Sequence, residues 1–306
     1  MVNRQKSVMH TVGLAFDETY DDETLARVAW TTVLEPGDRK AGRLIAKYGA
    51  AEALDRLIAG DSIHDGDQEL YDRVLSGLSA ADVLSALAIT VDRGYAVLTP
   101  TSSAWPKRLD ALASTAPVAL WLSGDHALLT EATIAITGSR DASEHGRRVC
   151  AELASGLASH GHPISSGAGY GIDTVALASA LGSGGRTVAF LTSGLDQPFP
   201  SGNVGLLEET ADDGAIITER APGTAPRDWR FLRRNQLLGT FAAKCIVVEA
   251  SARSGAIATA EAALAAGHPV GVVPGPTNSS ATAGSDRLLR DEKVFPIASL
   301  EEAELL

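Results

Sequence analysis

This sequence of 306 residues lacks the features on which cross-links, metal sites and nucleophilic catalysis depend. Its two cysteines, Cys150 and Cys245, stand in apolar stretches, as is typical of reduced, buried thiols in a cytoplasmic protein. Its seven histidines are scattered, and no pair has the spacing of metal ligands. A G-x-S-x-G elbow is also missing. We therefore expect no metal, no cofactor and no catalytic residues, and the protein is predicted not to be an enzyme.

Long apolar runs are missing too. No run approaches the roughly 18 apolar residues that mark a transmembrane helix. The N-terminus has no secretory pattern, because polar residues lead into Met9 and His10 where an apolar core would be needed. We expect a cytoplasmic protein without membrane contacts, and its 45% of hydrophobic residues can bury a sizeable core.

Positive charge is scarce, since the formal net charge is −12. This excludes the broad electrostatic grip on nucleic acid that a basic domain provides. It allows a local basic groove, and the segment 227–236 holds four arginines against one aspartate. Trp229 and Phe231 stand among these arginines, and stacking rings beside guanidinium groups are typical of single-stranded nucleic-acid sites. A solvated charge run at the start of a helix is the alternative interpretation.

Apolar periodicity divides the chain into two parts. The first, 1–92, is predicted to be a small all-helical domain with helices at 22–30, 41–48, 50–58, 70–75 and 80–89, and disorder is allowed for its first residues. The second, 93–306, has predicted strands at 95–98, 119–122, 134–136, 163–165, 187–191, 215–218, 245–248 and 270–273, and helices at 144–160, 172–181, 204–212 and 256–266, with a final helix beginning at Gly284. Short, continuous apolar strands are typical of a parallel sheet covered on both faces. The predicted fold class is therefore α/β, with an extended Rossmann-like, doubly wound, mostly parallel sheet.

Loops rich in glycine or arginine follow the strands of the second part. Small residues expose backbone N–H groups and helix N-termini carry partial positive charge, so such loops make anion sites. In doubly wound sheets ligands bind outside the carboxyl ends of the strands. The loops therefore predict one phosphate-recognising face, and they contain Gly138, Ser139 and Arg140; Ser166, Gly167, Gly169, Gly171 and Asp173; Arg230, Phe231, Arg233, Arg234 and Asn235; and Glu249, Arg253, Ser254 and Gly255.

Each loop also has a purely structural interpretation. The first loop is not G-x-G-x-x-G and has no P-loop lysine, so it could be a tight turn that exposes Arg140. In the second loop the glycines would let backbone N–H groups reach a phosphate, while Asp173 could simply complement a helix dipole. Ser254 could be a helix N-cap.

Taken in order, these motifs resemble the DprA/Smf family of DNA-processing proteins. The resemblance covers about residues 95–295, and its strength is in the order and spacing of motifs that are weak individually. The matching residues outside the loops above are Gly194, Leu195, Asp196, Phe199, Pro200, Asn203, Glu219, Val248, Thr259, Ala260, Pro274, Gly275, Gly284 and Leu288.

The resemblance implies a Rossmann-like domain that binds single-stranded DNA without base chemistry. It also implies protection of incoming DNA, loading of the RecA recombinase in natural transformation and recombination, a homodimer, and a sterile-alpha-motif-like domain at 1–92. Asp173 and Glu249 are expected to support the site. The residues predicted to contact DNA are Gly138, Ser139, Arg140, Ser166, Gly167, Gly169, Gly171, Arg230, Phe231, Arg233, Arg234, Asn235, Ser254, Gly255 and Thr259.

The sequence departs from the family pattern at three places. Leu232 stands where the family usually has proline, and Gln236 where it usually has arginine, so one cation facing the DNA is expected to be missing. The sequence ends at Leu306, soon after the expected sheet, so no C-terminal winged helix is expected. Duplex binding or regulation through such a domain is then not expected either.

Two other functions compete with this one. The wider LOG/Smf superfamily includes cytokinin-activating phosphoribohydrolases, which use a P-G-G-x-G-T-x-x-E signature. Here Pro274, Gly275, Pro276 and Thr277 lack the second Gly and the following Gly-Thr and Glu, which favours DNA binding over nucleotide processing. A nucleotide sensor in immunity or signalling is the third possibility.

Overall fold

The computed structural model describes residues 2–16, 19–60, 68–276 and 279–306. Its helices are α1 (Val2–Phe16), α2 (Asp22–Val33), α3 (Arg39–Tyr48), α4 (Ala50–Ala59), α5 (Gln68–Gly77), α6 (Ala80–Asp92), α7 (Glu144–Ser159), α8 (Ile172–Gly182), α9 (Val204–Asp213), α10 (Arg230–Phe241), α11 (Ala256–Ala265), α12 (Ala283–Leu288) and α13 (Leu300–Leu305). Its strands are β1 (Ala96–Leu98), β2 (Leu120–Gly124), β3 (Ile134–Thr137), β4 (Ile164–Ser166), β5 (Thr187–Phe190), β6 (Ala215–Thr218), β7 (Lys244–Val247), β8 (Val270–Val272) and β9 (Val294–Pro296). Among these residues, 3₁₀ segments lie at Lys107–Thr115, His126–Leu129 and Ser201–Asn203.

The strands form one nine-stranded sheet in the order β1-β2-β6-β5-β4-β3-β7-β8-β9. Strands β3 to β9 pair in parallel, and β2 pairs antiparallel with both β1 and β6. From β3 the chain first builds outward through β4, β5 and β6, and then returns to the other side of β3 as β7. This reversal creates a crevice at the carboxyl ends of β3 and β7, where ligands of such sheets bind.

Helices cover both faces of the sheet, as the short, fully buried strands predict. Alternate residues of β3 point to opposite faces. Ile134 and Ile136 pack into the core under α7 and α8, and Ala135 packs into the core under α10 and α11. The predicted α/β fold class, with a mostly parallel sheet and a helical N-terminal region, is confirmed.

Capping residues set the start of several helices. Asp21 accepts a hydrogen bond from the Thr24 backbone N–H at 2.8 Å and begins α2. Asp38 accepts from two backbone N–H groups at the start of α3, and Ser143 accepts from Gly146 N–H at the start of α7. Each satisfies N–H groups that have no partner inside the helix.

The N-terminal helices pack around Trp30, whose indole N–H donates to Ala50 O at 3.0 Å. Their core continues into the sheet, because Trp121 of β2 and Leu207 of α9 belong to the same apolar cluster. The Trp121 indole N–H also donates to Thr90 Oγ1 in α6 at 3.1 Å. The helical part is therefore packed directly against the sheet.

Some elements differ from the sequence-based expectations. The first residues, for which disorder was allowed, form α1, and Val8 and Val12 of that helix are buried. Strand β9 and α13 follow the expected final helix and were not predicted. The expected division at 92–93 falls between α6 and β1, and two separate domains remain a prediction. Among the described residues no single helix has the length and apolar character needed to cross a membrane; α5 and α6 reach it only as a pair bent by 70°.

Candidate functional site

A cleft of about 400 Å³ lies where the sheet reverses direction, at the carboxyl ends of β3 and β7. We call it the strand-end cleft. It brings together loops from four places in the sequence, and its lining residues are Thr137, Gly138, Ser139, Arg140, Asp141, Asp173, Phe231, Leu232, Arg234, Asn235, Ser251, Arg253, Ser254, Gly255 and Ala256. Most of the predicted DNA contacts of the first, third and fourth loops are in this set.

The loop after β3 is fixed by close backbone packing. The Ser139 backbone N–H donates to Glu249 O at 2.7 Å, which joins the ends of β3 and β7. A Cβ on Gly138 would lie 2.8 Å from Glu249 O and 2.7 Å from Ile172 Cγ1, so only glycine fits there without a shift. The turn is therefore as tight as the structural interpretation predicted, and it presents Arg140 to solvent.

Arg140 stacks on an aromatic ring at the cleft surface. Its guanidinium carbon lies 4.2 Å from the Phe231 ring centroid, and the side chain is exposed. Phe199 meets the same ring edge to face at 6.0 Å between centroids. No described carboxylate lies within ion-pair distance of Arg140, so its guanidinium is an exposed charge without a carboxylate partner there, above an aromatic surface.

Arg234 places a second positive charge in the floor of the cleft. Its Nη1 donates to Phe190 O at 3.2 Å and lies 3.8 Å from Asp173 Oδ2, while its Nε has no hydrogen-bond partner among the described residues. Burial lowers the pKa of Arg234 to about 10; Asp173 opposes the shift, and Arg140 adds to it. The guanidinium therefore remains charged at neutral pH, and burial makes an added anion favourable.

The glycine-rich loop after β4 encloses the Arg234–Asp173 pair. Asp173 accepts from Thr137 Oγ1 at 2.8 Å and from Gly169 N–H at 3.1 Å. A Cβ on Gly167 would lie 1.8 Å from Arg234 Nη1. The Gly169 N–H is thus already bonded to Asp173, and Gly167 makes room for the Arg234 side chain. We had expected N–H groups free for a phosphate. The loop instead supports the residues of the cleft.

Gly171 brings the first two loops together. It has a φ of +77°, and a Cβ there would lie 2.2 Å from Ser139 O and 2.5 Å from Arg140 O. The neighbouring Ile172 N–H donates to Ser139 O at 3.1 Å. Glycine is needed here both for the left-handed backbone and for the close approach.

Arg230 and Arg233 do not line the cleft. Arg230 makes two hydrogen bonds to the Glu35 carboxylate, at 2.9 and 2.7 Å, and donates to Ala225 O at 2.8 Å. Arg233 makes two to the Glu219 carboxylate, at 2.9 and 2.7 Å, and donates to Thr115 O at 2.6 Å. Both side chains are mostly buried, so these two predicted DNA contacts tie α10 to the rest of the protein.

Two further predicted contacts also lie inside the fold. Ser166 is buried in β4, and its hydroxyl donates to Ile136 O at 2.7 Å. Thr259 is fully buried in α11, and its Oγ1 has no partner among the described residues. Neither side chain lines the cleft.

The remaining predicted residues fix the loops of the cleft. Asn235 Nδ2 donates to Gly255 O at 3.0 Å and so joins α10 to the start of α11. Ser254 Oγ accepts from the Ala256 N–H at 3.3 Å, but the N-cap of α11 is Gly255, so the N-cap interpretation of Ser254 is wrong. Glu249 accepts from the backbone N–H and the hydroxyl of Ser143, the residue that caps α7.

Four exposed side chains near the cleft were not among the predicted DNA contacts, although Arg253 belongs to the fourth predicted loop and Trp229 was interpreted as a stacking ring beside the arginines. Arg253 lines the cleft and is exposed. Tyr170, Phe199 and Trp229 are exposed aromatic side chains on neighbouring loops. In the sequence, an aromatic residue close to glycine or arginine in a loop was the available signal for such a side chain. Only the structure shows that these aromatic side chains are exposed.

Catalytic groups are not evident in the described part of the chain. No cluster of three or more His, Cys, Asp or Glu there could hold a metal ion. Burial raises the pKa of Cys245 to about 12, and burial together with Asp173 raises that of Cys150, so neither thiol is a ready nucleophile. Pro274 follows β8 and lines a different pocket; Thr277 lies outside the described residues.

Comparisons with known proteins agree on one group. Residues 96–303 match the family model of DNA recombination-mediator protein A. The chain is 39% identical over 282 residues to the putative DNA processing protein DprA of Mycobacterium tuberculosis, covering 86% of this chain and 70% of that protein. It is 34% identical over 176 residues to DNA processing protein DprA of Streptococcus pneumoniae, covering 58% of this chain and 62% of that protein.

Two solved structures of DNA processing protein A resemble this chain. The X-ray structure of DNA processing protein A from Streptococcus pneumoniae superposes with a TM-score of 0.77 at 24% identity, over 94% of this chain and 98% of that one, which shows a shared fold. A structure of DNA processing protein A from Helicobacter pylori, described by its single-stranded DNA binding mode, superposes with a TM-score of 0.62 at 28% identity, over 68% of this chain and 93% of that one.

Proposed function

Because this chain belongs to the DNA recombination-mediator protein A family, also called DprA/Smf, we propose that it binds single-stranded DNA in the strand-end cleft. The Helicobacter pylori relative is described as a single-stranded DNA binder, and its likeness to this chain supports the same ligand here. The observation that carries the proposal is the stacked pair of Arg140 and Phe231 above the buried charge of Arg234.

The cleft has the two groups that single-stranded DNA needs. The N–H donors of Arg140 match phosphate oxygens, and the Phe231 and Phe199 rings offer faces for bases. Arg234 adds a fixed buried charge beneath them, which Asp173 partly offsets. Nothing in this combination distinguishes one base from another, so we propose binding without sequence preference.

The proposed action on DNA is non-catalytic. Two buried thiols with raised pKa values and the missing metal cluster in the described residues support a binder over a nuclease. We propose that the protein protects incoming DNA in the cytoplasm and loads the RecA recombinase onto it, acting as a homodimer. Two clefts in one dimer would raise the effective affinity for a long strand without new contacts.

The binding step is tested by fluorescence anisotropy with matched single- and double-stranded oligonucleotides over a range of salt concentrations. We expect tighter binding of the single strand and a linear fall of log affinity with log salt, with a slope of about −0.7 for each phosphate contacted. Equal binding of duplex, or no binding at low salt, would contradict the proposal.

The RecA step needs a separate assay. Strand exchange is started on DNA already coated with a single-strand-binding protein, and we expect this protein to relieve the block. DNA binding without relief would reject the loading function. Time-dependent nicking of the oligonucleotide, lost in an Arg140→Ala variant, would reject the non-catalytic action.

A further inference from the structure

A second cavity of about 430 Å³ lies beside the strand-end cleft, between the start of α3, the 3₁₀ segment Lys107–Thr115 and the pair α10–α11. We call it the α3–α10 cavity. Its walls include Arg39 from the helical part, Leu112 from the 3₁₀ segment, and Trp229, Leu232 and Gln236 from the start of α10. Its volume is within the range of about 300–1,000 Å³ that takes small-molecule-sized ligands.

The cavity adjoins the cleft at one residue. Leu232 lines both, and its side chain is 56% exposed. Trp229, at the rim, is 63% exposed. Gln236 stands one helical turn after Leu232 and therefore on the same face of α10. Beyond Leu232 the cavity therefore offers an indole and an amide to a chain that leaves the cleft.

The charge of the cavity is positive although the protein is acidic. Arg39 is exposed, and no described carboxylate lies within ion-pair distance of it. Arg233 forms part of the wall, and Glu219 is held in its bidentate ion pair. Glu35 is bound by Arg230. The charged residues of the lining are thus Arg39 and Arg233, and since Arg233 is paired with Glu219, the Arg39 guanidinium is left for a ligand.

We propose that the α3–α10 cavity is a second subsite that takes the next nucleotides of the same DNA strand. In it a base packs against Trp229 and Leu232, and a phosphate pairs with Arg39. This proposal rests on the proposed function, because it extends the path of a strand held in the strand-end cleft. An aromatic face beside a free guanidinium is the combination that binds single strands without reading sequence.

Oligonucleotide length separates the two subsites. Oligothymidylates of about 4 to about 16 nucleotides, a range of typical single-strand site sizes, are titrated against the wild type and Arg39→Ala. We expect unchanged binding of the shortest oligomers, and for the longer ones a weaker affinity with a salt slope shallower by about 0.7. Arg43→Ala is the matched control, because Arg43 is exposed on the same helix and lies outside the cavity lining.

Tryptophan fluorescence gives an independent readout of the base contact. Trp30, Trp105 and Trp121 are buried, so Trp229 is the exposed one of the four. We expect long oligomers to quench its emission and the shortest ones not to. A Trp229→Ala variant should lose the quenching and bind long oligomers at least about fivefold more weakly, as expected when a stacking contact is removed.

The outcomes are distinguishable. If Arg39→Ala and Trp229→Ala bind every oligomer like the wild type, the second subsite is rejected while the cleft stands. Equal loss at all lengths would also reject it, because the two sites would not be separate. If the wild type binds no oligomer, the proposed function itself fails. If an acidic peptide then quenches the Trp229 emission, the cavity has a different ligand and the second subsite is rejected.

Discussion

Four arginines of one short segment lie in three kinds of environment. Arg227 is exposed beside Trp229, Arg230 and Arg233 are held by carboxylates, and Arg234 is buried under the cleft. Their common charge suggested one role, but the partners Glu35 and Glu219 are distant in sequence, 195 and 14 positions away. Sequence spacing therefore identified the basic segment, but it could not show which role each of the four arginines has.

Arg140 is the side chain on which binding should depend most clearly. We expect Arg140→Ala to weaken single-stranded DNA binding and to make the salt slope shallower by about 0.7, since one phosphate contact is lost. Arg290→Ala is the control, because Arg290 is exposed and outside the cleft lining. Anisotropy titrations at several salt concentrations measure both. Equal slopes for the two variants would remove Arg140 from the site.

The Gly171 backbone should be essential for stability as well as for binding. We expect Gly171→Ala to lower the free energy of unfolding by about 1–3 kcal/mol, because its Cβ would overlap Ser139 O at a φ of +77°. Gly182→Ala is the matched control, since a Cβ at this helical position has no atom within 4 Å. Urea denaturation of both variants checks this. A loss no larger for Gly171→Ala than for Gly182→Ala would contradict it.

At the scale of elements, α10 has two functions. One set of its residues, Phe231, Leu232 and Arg234, lines the cleft. Arg230 and Arg233 bind Glu35 and Glu219. The helix is therefore held by Glu35 of the helical part and by Glu219, which follows β6, at the same turns that present cleft residues.

These ion pairs of α10 predict an effect on DNA affinity that is opposite to the one expected from net charge alone. Glu35→Gln removes a negative charge, which alone would favour DNA. We expect the affinity to fall, because Arg230 and the nearby buried Arg220 lose their shared carboxylate and the start of α10 loosens. Glu52→Gln, at the exposed pair with Arg56, makes the same charge change as a control. A tighter complex with Glu35→Gln than with Glu52→Gln in anisotropy titrations would reject the positioning role.

The contact between α2 and α4 predicts a loss of stability in acid. Burial raises the pKa of Glu23, but hydrogen bonds from the Ala50 and Ala51 N–H groups and the charge of Arg27 outweigh it and leave the pKa below its ordinary 4.5. A carboxylate with a lowered folded pKa stabilises the protein above its unfolded pKa, and this contribution is lost as the pH falls through the folded one. Melting temperatures between about pH 6 and pH 3 should therefore fall less steeply for Glu23→Gln. Parallel curves would contradict this.

The sequence was sufficient to predict the alternating strands and helices of the α/β part. It was insufficient to predict the last strand, β9, at the edge of the sheet. Short apolar strands such as β3 and β7 were predicted because they are buried on both faces and have no polar alternation. Strand β9 was missed because Phe295 and Pro296 are exposed at the edge of the sheet. The strand-end loops followed from the topology, but the enclosing role of Gly167 depends on the position of Arg234, which only the packing fixes.

For the whole molecule, an acidic protein should bind DNA only where its cations are left free. The net charge is −12, and many of the described arginines are in ion pairs. Arg140, Arg253 and Arg39 are exposed without such partners among the described residues, and all three line the two adjoining cavities. Arg43, Arg227 and Arg290 are exposed elsewhere, but the two cavities bring three such guanidinium groups together, so we expect binding to be local to that face.

The location of bound DNA is tested most directly by photo-cross-linking. Single-stranded DNA with photoreactive thymine analogues is irradiated in complex with the full chain, and the cross-linked peptides are identified by mass spectrometry. We expect cross-links in 137–141 and 229–236, the segments that carry Arg140, Phe231 and Trp229. Efficient cross-linking confined to α7, α13 or the N-terminal helices, with none in those two segments, would contradict a DNA site at the strand-end cleft.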